Sequence, residues 1–216
     1  MAPYVYPGTN VLKNLRNIRH SAELATFEAE ASMRRIKEME NAPIHGSFDA
    51  MHLKAIHGHI FQDVFAWAGR FRTVNIAVPD QFYFAFADQI DASVSKLLGE
   101  LHQEQRLKGL KPPAFATRAG HYLGELNAIH PFWDGNGRTQ REFVRELALE
   151  KGSTLNWSRV SPEQMRNASR VSFQLGNNAE LVTLIRTALG HSAKRKTEAP
   201  RARTRRQSGG SENLPS

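Results

Sequence analysis

His130-Pro-Phe-Trp-Asp-Gly-Asn-Gly-Arg-Thr-Gln-Arg141 packs an imidazole, a carboxylate, a glycine-rich turn and two guanidinium groups into one short stretch. Gly135 and Gly137 lack a Cβ, so the backbone there can approach a ligand closely. Beyond them, Phe143, Val144, Leu147 and Ala148 recur at three- and four-residue spacing, which predicts an amphipathic helix over Arg138–Glu150. The turn therefore opens a helix, and the free amides at a helix N-terminus form an anion site. Arg138 and Arg141 stand at i and i+3, share a face and can reach one ligand. Their planar donor forks fit phosphate oxygens. Asp134 is placed to hold a hard cation, and Mg²⁺ commonly binds through one carboxylate plus substrate phosphates. His130 alone ionises near neutral pH, which makes it the candidate general base. Taken singly, each part reads as a turn, a loop histidine or a solvated helix face; their order and spacing point to a polyphosphate held with a divalent metal beside a base.

Working outward, a second block stands upstream: Ile56-His57, Phe61, then Val64-Phe65-Ala66-Trp67-Ala68-Gly69-Arg70-Phe71-Arg72-Thr73-Val74-Asn75-Ile76. The first stretch resembles the signature of the Fic family, His-Pro-Phe-x-(Asp/Glu)-Gly-Asn-Gly-Arg-x-x-Arg, at every fixed position. The second is similar to that family's pre-flap segment. The resemblance covers about residues 4–190. It implies an all-α fold, a Fic-type helical bundle with a small β-hairpin flap. It also implies transfer of AMP from ATP to a hydroxyl side chain of a target protein. By that resemblance His130 deprotonates the hydroxyl, and Asp134 positions Mg²⁺ between the α- and β-phosphates. Gly135, Asn136 and Gly137 form the anion hole, Arg138 holds the β-phosphate region and Arg141 meets the γ-phosphate. A branch of the family that moves the γ-phosphate carries Lys for the first arginine and a broken glycine turn. This chain keeps Gly137 and Arg138, which disfavours that chemistry.

The chain has 216 residues, 40% of them hydrophobic, about one domain with a proper core. No run of 18 apolar residues is present, so no membrane span is expected. Met1–Gly8 lacks a basic start followed by an apolar stretch, so no secretory leader is expected. Cysteine is absent, which excludes disulfides and thiolate catalysis. The net charge of +8 is uneven. Residues 191–216 hold Lys194, Arg195, Lys196, Arg201, Arg203, Arg205 and Arg206 against Glu198 and Glu212. That composition reads as a disordered basic tail, a solvated extension with weak nucleic-acid contact as the alternative. Residues 1–190 are then the Fic domain, with the motif at 130–141.

Periodicity predicts a helix over 21–40, capped by Ser21, with Leu24, Phe27, Ala31 and Ile36 inward. Ser47 is the candidate cap of a second helix, with Phe48, Met51, Leu53, Ile56, Ile60 and Phe61 as core. Residues 73–78 and 82–86, around Pro79-Asp80-Gln81, are the only strand-like stretches and predict a hairpin. The resemblance makes this the flap, at about residues 73–86. It pins the target by strand addition through Val74, Asn75 and Ile76. Helices are expected over 87–106 and 113–129, after Ser161-Pro162, and over Ala179–Leu189.

His52, His57 and His59 do not match a common zinc spacing, and His57 is expected to pack beside the flap. Glu125 reads as a surface residue. Many relatives in the family are held off by a helix bearing (Ser/Thr)-x-x-x-Glu-(Gly/Asn), whose glutamate meets the second motif arginine, here Arg141. Only Ser208–Asn213 fits that pattern, within a glycine-containing tail, and Thr26–Glu30 comes close but is followed by Ala31. The expectation is therefore a cytoplasmic toxin neutralised by a separate small antitoxin, whose inhibitory helix contacts Arg141. By family analogy the targets are type II topoisomerases, subunits of DNA gyrase or topoisomerase IV. A non-catalytic binding or regulatory module, and a transferase using another nucleotide donor, stand as alternatives.

Overall fold

The computed structural model describes residues 4–78 and 82–191. Seven helices build the described part: α1 (Ser21–Asn41), α2 (Ala50–Phe61), α3 (Ile90–Gln103), α4 (Pro112–Ile129), α5 (Asn136–Glu150), α6 (Pro162–Leu175) and α7 (Ala179–Ala188). Two small antiparallel ladders accompany them. β1 (Ala77–Val78) pairs with β2 (Phe82–Tyr83), and β3 (Ser153–Leu155) pairs with β4 (Leu189–His191). The all-helical expectation stands. Among the described residues no helix is long and apolar enough to cross a membrane.

The helices form where the apolar spacing places them. On α3, Ile90, Val94, Leu97, Leu98 and Leu101 are all buried on one face. α6 starts on a full capping box: Ser161 Oγ accepts from the Gln164 amide, and the Gln164 side chain accepts from the Ser161 amide. α5 lies at the centre, packed against α2, α4 and β3. Its apolar stripe Phe143, Val144, Leu147 and Ala148 is fully buried. Its other faces are covered too, so Glu142, Arg145 and Glu146 are buried and paired. Arg145 Nε donates to Glu142 at 2.6 Å, and Glu146 takes a hydrogen bond from the Ile44 amide and meets His52 Nε2 at 3.0 Å. Buried charge is tolerated where it is paired or fully hydrogen-bonded.

Several expectations are corrected. Ser21 is the first helical residue of α1 and His20 occupies the cap position. Asp49, not Ser47, caps α2 by accepting from the His52 amide. Met51 is 71% exposed: it lies on the solvent side of α2, opposite Leu53 and Ile56. The hairpin strands are shorter than expected, because residues 73–76 precede β1 and lie outside its ladder. The turn at Pro79-Asp80-Gln81 lies outside the described residues. So do residues 192–216 with the Ser208–Asn213 match; His191 itself belongs to β4. β3 and β4 add a second ladder, and Leu189 ends α7 by entering it.

Candidate active site

The site is made where α4 ends and α5 begins. His130 is the last residue of that end and takes a left-handed conformation, φ 51°, with its amide donating to Leu126 O at 3.0 Å. A left-handed turn on a non-glycine residue costs about 1–2 kcal/mol and needs support from its surroundings. Arg72 supplies it, donating from Nε to the His130 carbonyl at 2.8 Å. The loop that follows is braced from inside by Asn136. Its Oδ1 accepts from the Phe132 amide at 2.9 Å and its Nδ2 donates to the Phe132 carbonyl at 2.8 Å. The Asn136 side chain is thereby committed to the loop, and only its amide remains for a ligand.

His57 braces the loop from below. Its Nδ1 accepts from the Gly69 amide at 2.8 Å, so Nε2 carries the proton and donates to the Asp134 carbonyl at 3.1 Å. Its ring stacks on Phe132, centroids 3.8 Å apart. It thus packs under the motif rather than beside the flap. Burial pushes its pKa down to about 3, with the Arg138 charge acting in the same direction. From the N-terminal segment, Tyr4 stacks on Trp133 at 4.8 Å and meets Trp67 edge-on.

Gly135 sits at φ +77°, and a Cβ there would lie 2.3 Å from the Phe61 ring. Both the conformation and the space call for glycine. It caps α5, whose first turn closes with the Thr139 amide donating to Gly135 O at 3.1 Å. The amides of Asn136, Gly137 and Arg138 precede that bond and point out of the helix end. Gly137 is exposed, and a Cβ there would come within 3.3 Å of Arg141 Nη1.

The two arginines differ in their surroundings. Arg138 donates to Glu28 and Ser32 on α1 and lies over the Phe61 ring at 4.6 Å. Glu28 is held above the usual carboxylate range, chiefly by burial, with Arg138 opposing and Asp134 adding to the rise. Arg141 forms no ion pair among the described residues, and burial together with Arg138 pushes its pKa down. It lines two cavities. One, of about 520 Å³, runs from His130 and Gly137 to Trp157, Met165 and Arg166. The other, of about 820 Å³, lies between α1, α5 and β3, with Met33, Glu40 and Trp157 on its walls.

The His130 ring is half-buried. Its Nδ1 lies 3.4 Å from the Asn127 carbonyl, which assigns the proton to Nδ1 and leaves Nε2 with a lone pair. Burial, assisted by the Arg72 charge, lowers its pKa to about 4, so the ring is neutral at physiological pH. Asp134 is 41% exposed at its side chain, and its Oδ1 takes the Gly135 amide. Among the described residues there is no cluster of three His, Asp or Glu side chains able to hold a metal by themselves. One half-exposed carboxylate beside the free amides of a helix start fits Mg²⁺ held mostly by substrate oxygens and water. Glu125 is exposed and takes no part.

Sequence reading missed Glu28 and Tyr4, and gave no site role to His57 and Arg72, which stand in the second block. Glu28 had a usable signal, since Leu24, Glu28 and Ala31 share a face of the predicted helix. The other three act through backbone groups and aromatic contacts that spacing does not encode.

Comparison with known proteins places the chain among close counterparts. A family model described as "Fic/DOC family" matches residues 47–148. The chain is 43% identical over 187 residues to "Protein adenylyltransferase VbhT" of Bartonella schoenbuchensis, an alignment covering 87% of this chain and 39% of that protein. It thus spans well under half of that relative's length. It is 35% identical over 196 residues to "Probable protein adenylyltransferase Fic" of Salmonella typhimurium, covering 91% and 95% of the two chains. Among solved structures, BepC of Bartonella tribocorum, with bound AMPPNP, superimposes with a TM-score of 0.81 at 28% identity. That match covers 88% of this chain and 97% of the other. An N-terminal Fic domain from Bartonella quintana, with bound ADP, gives 0.81 at 29%, covering 88% and 95%.

Proposed function

We propose, since the chain belongs to the Fic/DOC family, that it is a protein adenylyltransferase moving AMP from ATP onto a hydroxyl of a target protein. The observation that carries this reading is Arg141. Among the described residues it is a partly buried cation with no ion pair, on the same cavity as a neutral His130, with the α5 amides between them. An unpaired cation there calls for an anion, and a triphosphate lying across the helix start supplies one.

His130 Nε2 accepts the proton of the target hydroxyl as its oxygen attacks the α-phosphorus. The bond from the α-phosphorus to the bridging oxygen breaks, and pyrophosphate leaves. The amides of Asn136, Gly137 and Arg138 and the Arg138 guanidinium stabilise the phosphate charge. Arg141 holds the γ-phosphate and so fixes which phosphorus faces the base. Positioning and preorganised electrostatics supply most of the acceleration. Asp134 would hold Mg²⁺, whose chemistry is neutralisation of the α- and β-phosphates. Asn136 and Glu28 hold the loop and Arg138 in place. Two related structures with bound AMPPNP and ADP support an adenine nucleotide as the donor.

Incubation with α-labelled ATP and a lysate tests the reading. A labelled protein band that disappears in His130→Ala is the expected result. Label from γ-labelled ATP alone would indicate phosphotransfer, and no label from either would favour a binding module. Purified DNA gyrase and topoisomerase IV subunits are the first targets to try, on family analogy alone.

The second cavity supports regulation by a separate small antitoxin, in keeping with a toxin acting in a cytoplasm. An inserted helix lying between α1 and α5 would bring a glutamate to Arg141 and displace the γ-phosphate. Co-expression with a neighbouring small open reading frame is expected to relieve toxicity; unrelieved toxicity sinks this part.

A further inference from the structure

The imidazole of His130 is held mainly from outside its own loop. Among the described residues its one hydrogen bond, to Asn127 O at 3.4 Å, is at the long end of useful geometry and fixes the tautomer better than the ring plane. The Phe84 ring lies face to face with it, centroids 3.9 Å apart and planes 15° from parallel. Phe84 directly follows β2 and leans in turn on Phe173 of α6, centroids 4.6 Å apart.

Arg72 is 2% exposed and spends its guanidinium on four carbonyl oxygens. These belong to Ile129 and His130 at the end of α4, to Val74 on the way into the flap, and to Ala85 on the way out. Its amide donates to Pro131 O at 2.9 Å. The Ala85 amide also reaches Ala128 O. The base of the flap and the turn that carries the imidazole are thus riveted at the same residues.

We propose that Phe84 and Arg72 are positioning residues for His130. Arg72 locks the left-handed backbone, while the phenyl ring fixes the imidazole plane and shields one face from water. This rests on the reading of His130 as the base. The flap and the base then form one mechanical unit, so a target segment seated on the flap meets an imidazole already aimed.

The charges around that ring agree with a neutral base. Arg72 lies beneath it, and Arg141 from α5 and Arg166 from α6 line the same cavity, with no carboxylate among its described lining residues. All disfavour a second proton. The π-face of Phe84 favours imidazolium by about 0.5–1 kcal/mol at most exposed sites, but here exclusion of water outweighs it, and the pKa falls to about 4.

The test uses the full chain labelled with ¹³C/¹⁵N-histidine, with the His130 signal assigned by its loss in His130→Gln. Phe84 is half-buried, so Phe84→Ala is expected to fold. In the parent protein the His130 ring stays neutral from pH 8 down to about 5. In Phe84→Ala the midpoint rises by about one unit or more, because water reaches the ring. In the same variant kcat falls by about tenfold while KM for ATP stays within about twofold, the pattern of a misaimed base. Phe84→Leu keeps the ring dry, so its midpoint stays near the parent's while kcat still falls. Arg72→Lys, one point donor in place of a fork, lowers kcat in the same way, and the Phe84 variants carry the test should it fail to fold. An unmoved midpoint or an unchanged kcat in Phe84→Ala overturns the proposal. Failure of the base assignment is a separate outcome: it appears as AMP transfer by His130→Ala, whatever the titration shows.

Discussion

Between His130 and Thr139 the backbone is fastened from several directions. Arg72 holds it at His130 O, Asn136 at both polar groups of Phe132, His57 at Asp134 O, and Thr139 at Gly135 O through its amide and its hydroxyl. The flap ladder amounts to Ala77↔Tyr83 and Val78↔Phe82. An isolated two-stranded hairpin is at best marginally stable in water, so this one depends on its riveted base. On the proposed function the difference follows the ligands. A triphosphate has one shape and rewards a site built in advance, because ordering costs are then met during folding. A protein target brings its own backbone donors and acceptors, and a short hairpin with open edges leaves those pairings to be made.

The strongest way to break the braced loop is Gly135→Ala. Its Cβ would meet the Phe61 ring, and φ +77° disfavours any side chain. Loop displacement is expected to cost about 3 kcal/mol of stability and at least about a hundredfold in AMP transfer. Urea unfolding and labelling check the two halves. A folded, fully active variant would show that the loop is less constrained than its contacts suggest.

His57 gives the next largest effect and a pH signature. Both of its nitrogens are satisfied only in the neutral ring, and its folded pKa of about 3 lies below the ordinary 6.5. The unfolded chain therefore takes up a proton first. Stability is fully present above about pH 6.5 and drains away as pH falls from there toward 3. His130, with a folded pKa of about 4, acts in the same direction. His57→Phe keeps the stack on Phe132 but orphans the Gly69 amide and the Asp134 carbonyl. It is expected to lose about 2 kcal/mol at pH 7 and to flatten the acid dependence. An unchanged slope in chemical unfolding between pH 7 and 5 would mean that other groups dominate it.

Glu28 holds Arg138 from α1, and its loss leaves the guanidinium anchored more loosely, by Ser32 and the Phe61 face. Glu28→Ala is expected to raise KM for ATP by about three- to fivefold with little change in kcat. A fall in KM would show instead that the carboxylate competes with the phosphates.

These effects trace what could be read in advance. The motif was legible because its chemistry is local: base, carboxylate, glycine turn and arginines follow one another on one chain segment. α3 was legible because Ile90, Val94, Leu97, Leu98 and Leu101 repeat with the helix, and α6 because Ser161-Pro162 is a start signal carrying its own cap. Pairings across the chain were not. Glu28 meets Arg138 at a separation of 110 residues, and His52 meets Glu146 at 94. Nothing in the spacing of either partner announces the other. β3 and β4, three residues each, are too short for alternation to register, and they exist because Ser153-Thr154-Leu155 finds Leu189-Gly190-His191 across the fold. Met51 failed for a related reason: hydrophobicity alone does not say which side of a short helix faces water.

The flap carries the smallest expected effect on stability and sharpens the comparison most. Val74 and Ile76 are half-buried and stand before β1, while Asn75 accepts from the Ala87 amide at 2.8 Å across the hairpin base. Val74→Ala and Ile76→Ala remove side chains outside the packed interior, so unfolding free energies should move by no more than about 0.5–1 kcal/mol. ATP affinity should stay at the parent level, because Arg72 holds the turn at His130 through carbonyl oxygens that these changes leave in place. On the proposed reading of the flap as the docking surface, labelling of the target should nevertheless fall, through a higher KM for the protein substrate. If ATP affinity drops in step with labelling, the flap is part of the nucleotide site, and the division between a prebuilt chemical centre and a docking surface completed by the partner does not hold.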